Sequence, residues 1–114
     1  MLDALVADFM AADPEAGKLD PPAVRVPNGV LRDVFEIFNE RPIYQAAEIT
    51  LPTPVIRGAD DPESTDPDAR GLFDALGAQE KRYVVIGNGS HFLFGERQGW
   101  QLYDEIERFL LPLR

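Results

Sequence analysis

Apolar positions divide the chain into a helical front and a back in which short apolar runs take turns with helices. Leu2, Leu5, Val6, Phe9 and Met10 recur at helical spacing and predict a helix over residues 2–12 with one apolar face. Asp13-Pro14 ends it, because a residue before proline is pushed out of the helical region. Pro14, Pro21, Pro22, Pro27 and Gly17 make residues 13–27 a loop with extended pieces. Asn28 is the expected N-cap of a second helix reaching about Asn39. Its stripe is Leu31, Val34, Phe35 and Phe38, widened by Val30 and Ile37, and Arg41-Pro42 closes it.

The pattern changes after a connector over residues 43–53. Pro54 to Gly58 is a short apolar run that reads as a strand, followed by the turn Gly58-Ala59-Asp60-Asp61-Pro62. A third helix has Asp66 as its expected N-cap, Pro67 in its first turn and Ala69, Leu72, Phe73 and Leu76 inward, with Gly77 just past its end. Arg82 to Ile86 is a second strand that stops at Gly87. The loop Gly87-Asn88-Gly89-Ser90-His91 leads to a last helix over 96–111, with Glu96 at its start. Trp100, Tyr103, Ile106 and Leu110 form its stripe, which places Trp100 in the core. Strands joined by a crossover helix are most simply parallel, so the predicted class is α/β, a βαβα unit with strands at about 54–58 and 82–87.

The 114 residues allow one domain, 1–114, with a helical part at 1–41 and the α/β part at 42–114. Having no cysteine removes disulfides, thiolate nucleophiles and cysteine metal sites, and the single histidine, His91, removes multi-histidine sites. No cofactor or metal is expected. The net charge of -9 argues against nucleic acid or an anionic membrane as partner, since phosphate neutralisation needs clustered Lys and Arg. No apolar run reaches the roughly 18 residues of a membrane span. Asp3 and Asp8 interrupt the layout of a signal peptide, so a soluble cytoplasmic protein is expected.

Two residues stand out by position. Asp61 follows the first strand and His91 follows the second. In a parallel pair both lie at the same sheet edge, where α/β proteins place ligands. A carboxylate there can fix an imidazole tautomer and stabilise the imidazolium formed when the ring takes a proton. Asp60 is a rival for the acid. The run Asp60, Asp61, Glu63, Asp66 and Asp68 lacks calcium-loop spacing and reads as a solvated turn and cap. Phe92, Phe94 and Trp100 are the aromatics near these loops.

Leu51 to Pro62, Gly87-Asn88-Gly89-Ser90-His91-Phe92, Glu96 and the closing helix with Phe109-Leu110 together resemble the C-terminal end of an α/β-hydrolase-fold protein. The resemblance covers about residues 42–113, and residues 1–41 are similar in character to the helical lid of such proteins. It implies Asp61 as the catalytic acid and His91 as the general base of an ester or related acyl hydrolase. The family's Gly-x-Ser-x-Gly nucleophile turn is absent. Ser64 and Ser90 are the only serines; one precedes a helix cap and the other adjoins His91. The expectation is a truncated, hydrolase-like unit, inactive alone. Its partners are a second copy, giving a homodimer, or a complementary hydrolase half, with a small apolar ligand also compatible. The alternative is a non-catalytic self-associating or ligand-binding module.

Overall fold

A computed structural model describes residues 2–113. The chain divides into two compact units, residues 1–44 and 45–114. The first unit holds helix α1 (Leu2–Ala12) and helix α2 (Gly29–Phe38), joined by a loop with a single 3-10 turn at Ala16–Lys18. Both helices fall where the apolar spacing predicts them. Leu5 and Met10 of α1 are half-buried, while every apolar residue of α2 is exposed.

The proline-rich loop is held by one buried carboxylate. Asp13, 7% exposed, binds one residue two positions on and another twelve positions on. Its oxygens accept the backbone N–H groups of Glu15 and Arg25, each at 3.0 Å. The Arg25 guanidinium adds two side-chain bonds at 3.0 and 2.8 Å, a bidentate grip. With few apolar side chains inside this unit, that clasp fixes the loop.

The second unit contains strand β1 (Thr53–Gly58), helix α3 (Asp66–Ala75), strand β2 (Lys81–Ile86) and helix α4 (Gly99–Leu110). The strands pair in parallel, from Thr53 opposite Lys81 to Gly58 opposite Ile86. The unit is therefore mixed α/β, as the strand–helix–strand–helix order predicts. Side chains alternate across the sheet. Tyr83 meets Phe73 of α3 at a ring separation of 5.7 Å, whereas its neighbour Arg82 bonds Glu105 of α4 at 3.1 Å. The two helices thus cover opposite faces of the sheet. Leu76, Ala78, Ile86, Leu93 and Phe109 are the buried apolar residues of this unit.

Several local details differ from expectation. The α3 N-cap is Thr65, one residue before Asp66, and its hydroxyl bonds the Asp68 carboxylate. At the other end, Lys81 supplies the cap: its ammonium donates to the carbonyls of Phe73 at 2.8 Å and Leu76 at 3.1 Å. Gly77 is required by close approach, since a Cβ there would lie 2.0 Å from the Ala47 carbonyl oxygen. Helix α4 starts at Gly99, after a separate 3-10 turn at Leu93–Gly95, and Glu96 lies between them. The inward face of α4 is Gly99, Leu102, Ile106 and Phe109; Trp100 is 66% exposed and stands outside the core. None of the described helices is long and apolar enough to cross a membrane.

The Asp13 clasp sets a pH dependence. Its carboxyl is held far below the ordinary value by the Arg25 side-chain bonds first, then by the Arg25 and Glu15 amides. A lowered folded-state value means the stabilisation is complete above the ordinary carboxylate value, about 4. It is lost as pH falls below that range. Protection of the Glu15 and Arg25 amides, taken relative to the intrinsic exchange rate at each pH, is expected to be high at neutral pH and to fall in strong acid, and Asp13→Ala should show the low protection at neutral pH.

Candidate active site

The parallel register decides where the loops emerge. Both strands end at the same edge, and the two loops that leave them touch through backbone. The Asp60 N–H donates to the Gly89 carbonyl at 2.9 Å, and the Ala59 N–H donates to the Ile86 carbonyl at 2.8 Å. Side-chain-free residues permit this approach. A Cβ on Gly58 would stand 2.2 Å from the Gly89 oxygen, and one on Gly89 would stand 2.6 Å from Leu93. Left-handed backbone in this loop falls on Asn88, with φ of 56°, rather than on the flanking glycines.

Asp61 and His91 meet across this junction. His91 Nδ1 lies 3.2 Å from Asp61 Oδ2, although thirty positions separate them in sequence. The exposed Asp60 is occupied through its backbone and makes no such contact, so the rival is resolved in favour of Asp61 as the residue beside the ring. The other Asp61 oxygen accepts the N–H groups of Glu63 at 2.8 Å and Ser64 at 2.9 Å. Asp61 is 9% exposed and His91 is more open, with 41% of its side chain accessible. Burial pushes the Asp61 carboxyl up, but the Ser64 and Glu63 amides and the His91 ring together outweigh it. The net result is a lowered value, so Asp61 is a carboxylate at neutral pH.

The acid loop has its own anchor. Arg57, 8% exposed on β1, donates through Nε to the Ser64 carbonyl at 2.8 Å and through a terminal nitrogen to the Asp61 carbonyl at 3.1 Å. A second terminal nitrogen lies 3.9 Å from Asp66, which also accepts from Tyr83 at 2.9 Å and from Arg70 at 2.6 Å. The buried cation is thereby neutralised and its donors are used on the loop that carries Asp61.

The base loop is anchored by Glu96. Its carboxylate accepts the Ser90 N–H at 2.9 Å and also the Ser90 hydroxyl. Those bonds hold its carboxyl below the ordinary range. Its sequence position suggested a helix start; its structural role is to grip the residue before His91. The signal that could have found it is the spacing: a carboxylate six residues after a loop serine can fold back across a short 3-10 turn. Phe92 stands edge-on to the His91 ring at 5.6 Å.

A cleft lined by Ile56, Asp61, Ser90, His91, Leu93 and Phe94 opens beside the pair. Phe94 is exposed there, whereas Trp100 lines a different groove, beside β2. The His91 ring contacts Asp61 and Glu63 and is bonded by no serine hydroxyl among the described residues. Also among the described residues, no group of three or more His, Asp or Glu stands where it could hold a metal ion. The arrangement can orient an imidazole and stabilise its charge. Among the described residues, it contains no nucleophile aligned with that imidazole.

Asp61→Ala removes the acceptor at Nδ1 and releases two amides. The neutral His91 ring is expected to carry its proton on Nδ1 in the parent chain and to lose that preference in the variant, read from ring nitrogen shifts by NMR. Unchanged shifts would show that the pair does not set the tautomer.

No family model matches the chain, and a search of curated proteins gives no match either.

Proposed function

We propose that Asp61 and His91 are the acid and general base of an acyl-bond hydrolase site of the α/β-hydrolase type. The nucleophile would be supplied by residues outside this 114-residue sequence. The observation that carries the reading is the 3.2 Å pair between a buried carboxylate and a more open imidazole. It lies at the common edge of two parallel strands. In this reading Asp61 accepts the Nδ1 proton and holds the tautomer, leaving Nε2 to take the proton of an attacking hydroxyl and return it to the leaving group. The likeness of the two loop sequences to those of the hydrolase family supports the assignment. The absence of Gly-x-Ser-x-Gly assigns the chain the acid–base half of the chemistry.

A second reading, a non-catalytic self-associating module, is favoured by one feature. Helix α2 exposes a continuous apolar stripe, with Leu31 at 64%, Phe35 at 58% and Phe38 at 84%. A stripe of that kind marks a contact surface. In this reading the chain forms a homodimer, and a compact monomer in sedimentation removes it.

The two readings separate by experiment. The purified chain is expected to form no adduct with a fluorophosphonate probe and to give no burst with an activated ester. Mixed with a polypeptide bearing a serine elbow that completes the site, it should become active, and His91→Ala should then lower kcat by orders of magnitude. Labelling of Ser64 or Ser90 in the chain alone would overturn the claim of an external nucleophile.

A further inference from the structure

We propose that Glu96 is a positioning residue for the His91 base, acting through Ser90 to hold the ring against Asp61. The proposal rests on the assignment of His91 as the base. One chain of bonds ties the residues on both sides of His91. The Glu96 carboxylate accepts the Ser90 N–H at 2.9 Å and also the Ser90 hydroxyl. The same hydroxyl oxygen accepts the Phe92 N–H at 3.2 Å. His91 thus stands between two backbone amides that lead to one carboxylate. The turn between them sets Glu96 in turn. Its N–H donates to the Leu93 carbonyl at 3.3 Å, and the Gly95 N–H donates to the Phe92 carbonyl at 2.9 Å.

The ring needs this support. A single 3.2 Å contact joins it to Asp61, at the long end of the hydrogen-bond range, and 41% of the His91 side chain is open to solvent. Asp61 is fixed by two amides of its own loop. On the other side of the pair, the Asp60 N–H ties the base loop at Gly89. From Ser90 to Phe92 the Glu96 chain takes over. Side chains of a site keep their geometry only where the groups behind them are locked. A hydroxyl has one proton to give, and that of Ser90 goes to Glu96, while its oxygen takes the Phe92 amide. Ser90 is therefore an anchor of the base loop, in keeping with a nucleophile supplied from elsewhere.

His91 is the only histidine, so its ring nitrogens can be followed by NMR in the intact chain as a single residue. Among the described residues, neither Glu96 nor Ser90 is bonded to the ring, so a change of tautomer reports position rather than direct contact. Glu96→Ala and Ser90→Ala are each expected to shift the ring nitrogens in the direction that Asp61→Ala shifts them. Ser90→Thr, which restores a hydroxyl, should keep the parent shifts. The control Glu105→Gln alters a carboxylate of the same unit that binds Arg82, and should also keep them. The amide spectrum of β1 and β2 shows which variants fold. If Glu96→Ala does not fold, the two Ser90 variants decide the matter. Parent shifts in a folded alanine variant, equal shifts in Ser90→Ala and Ser90→Thr, or an equal change in Glu105→Gln would overturn the positioning role. The base assignment is read separately in Asp61→Ala. If its tautomer does not respond, the base assignment falls and the positioning role falls with it. If it responds while the Glu96 and Ser90 variants do not, the positioning role alone is wrong.

Discussion

The parallel pairing of β1 and β2 is the constraint on which the second unit depends. Parallel strands need a crossover, and α3 supplies it. The register from Thr53–Lys81 to Gly58–Ile86 then makes both strands end together. Their following loops emerge side by side, close enough that only glycine fits at Gly58 and Gly89. A substitution at Gly58 would force the Asp60–Gly89 backbone contact apart, and overpacking of that kind costs about 1–3 kcal/mol. The Asp61–His91 distance is thus a consequence of sheet register more than of either side chain's own preference.

Polar anchors carry much of the order in this chain. No large side chain among the described residues is fully buried. In place of a deep core, charged groups are tied to backbone: Asp13 to the Glu15 and Arg25 amides, Arg57 to the Asp61 and Ser64 carbonyls, Lys81 to the end of α3, and Glu96 to Ser90. Charge-assisted bonds of this type are shorter and stronger than neutral ones. They also fix direction, which apolar packing does not. Tyr83 shows the effect on its own ionisation: burial and the Asp66 carboxylate both push its phenol up, so it remains a neutral donor to Asp66.

Much of this was legible in the sequence. The helix spacing locates α1, α2 and α3, and the α3 stripe of Ala69, Leu72, Phe73 and Leu76 does face inward. The two short strands lie within a residue of their expected bounds. Placement of one carboxylate and one imidazole at a shared edge followed from strand polarity. What escaped was set by tertiary contact. Trp100 belongs to a stripe at helical spacing, but the sheet under α4 is only two strands wide, so Leu102, Ile106 and Phe109 take the inward face. Glu96 looked like a dipole partner because its hydrogen-bonding target lies across a turn that periodicity does not register. The Lys81 cap and the Gly77 contact join segments separated in sequence, and no local pattern encodes them.

The Asp61–His91 junction is notable for how little of the chain it draws on. Among the described residues, the hydrogen-bond partners of Asp61, Ser64, Ser90 and His91 all fall between Arg57 and Glu96. One strand–helix–strand passage and its two exit loops hold the whole polar network. Such a passage is a portable cassette. Grafting the cassette onto another sheet would carry the carboxylate, the imidazole and their anchors together.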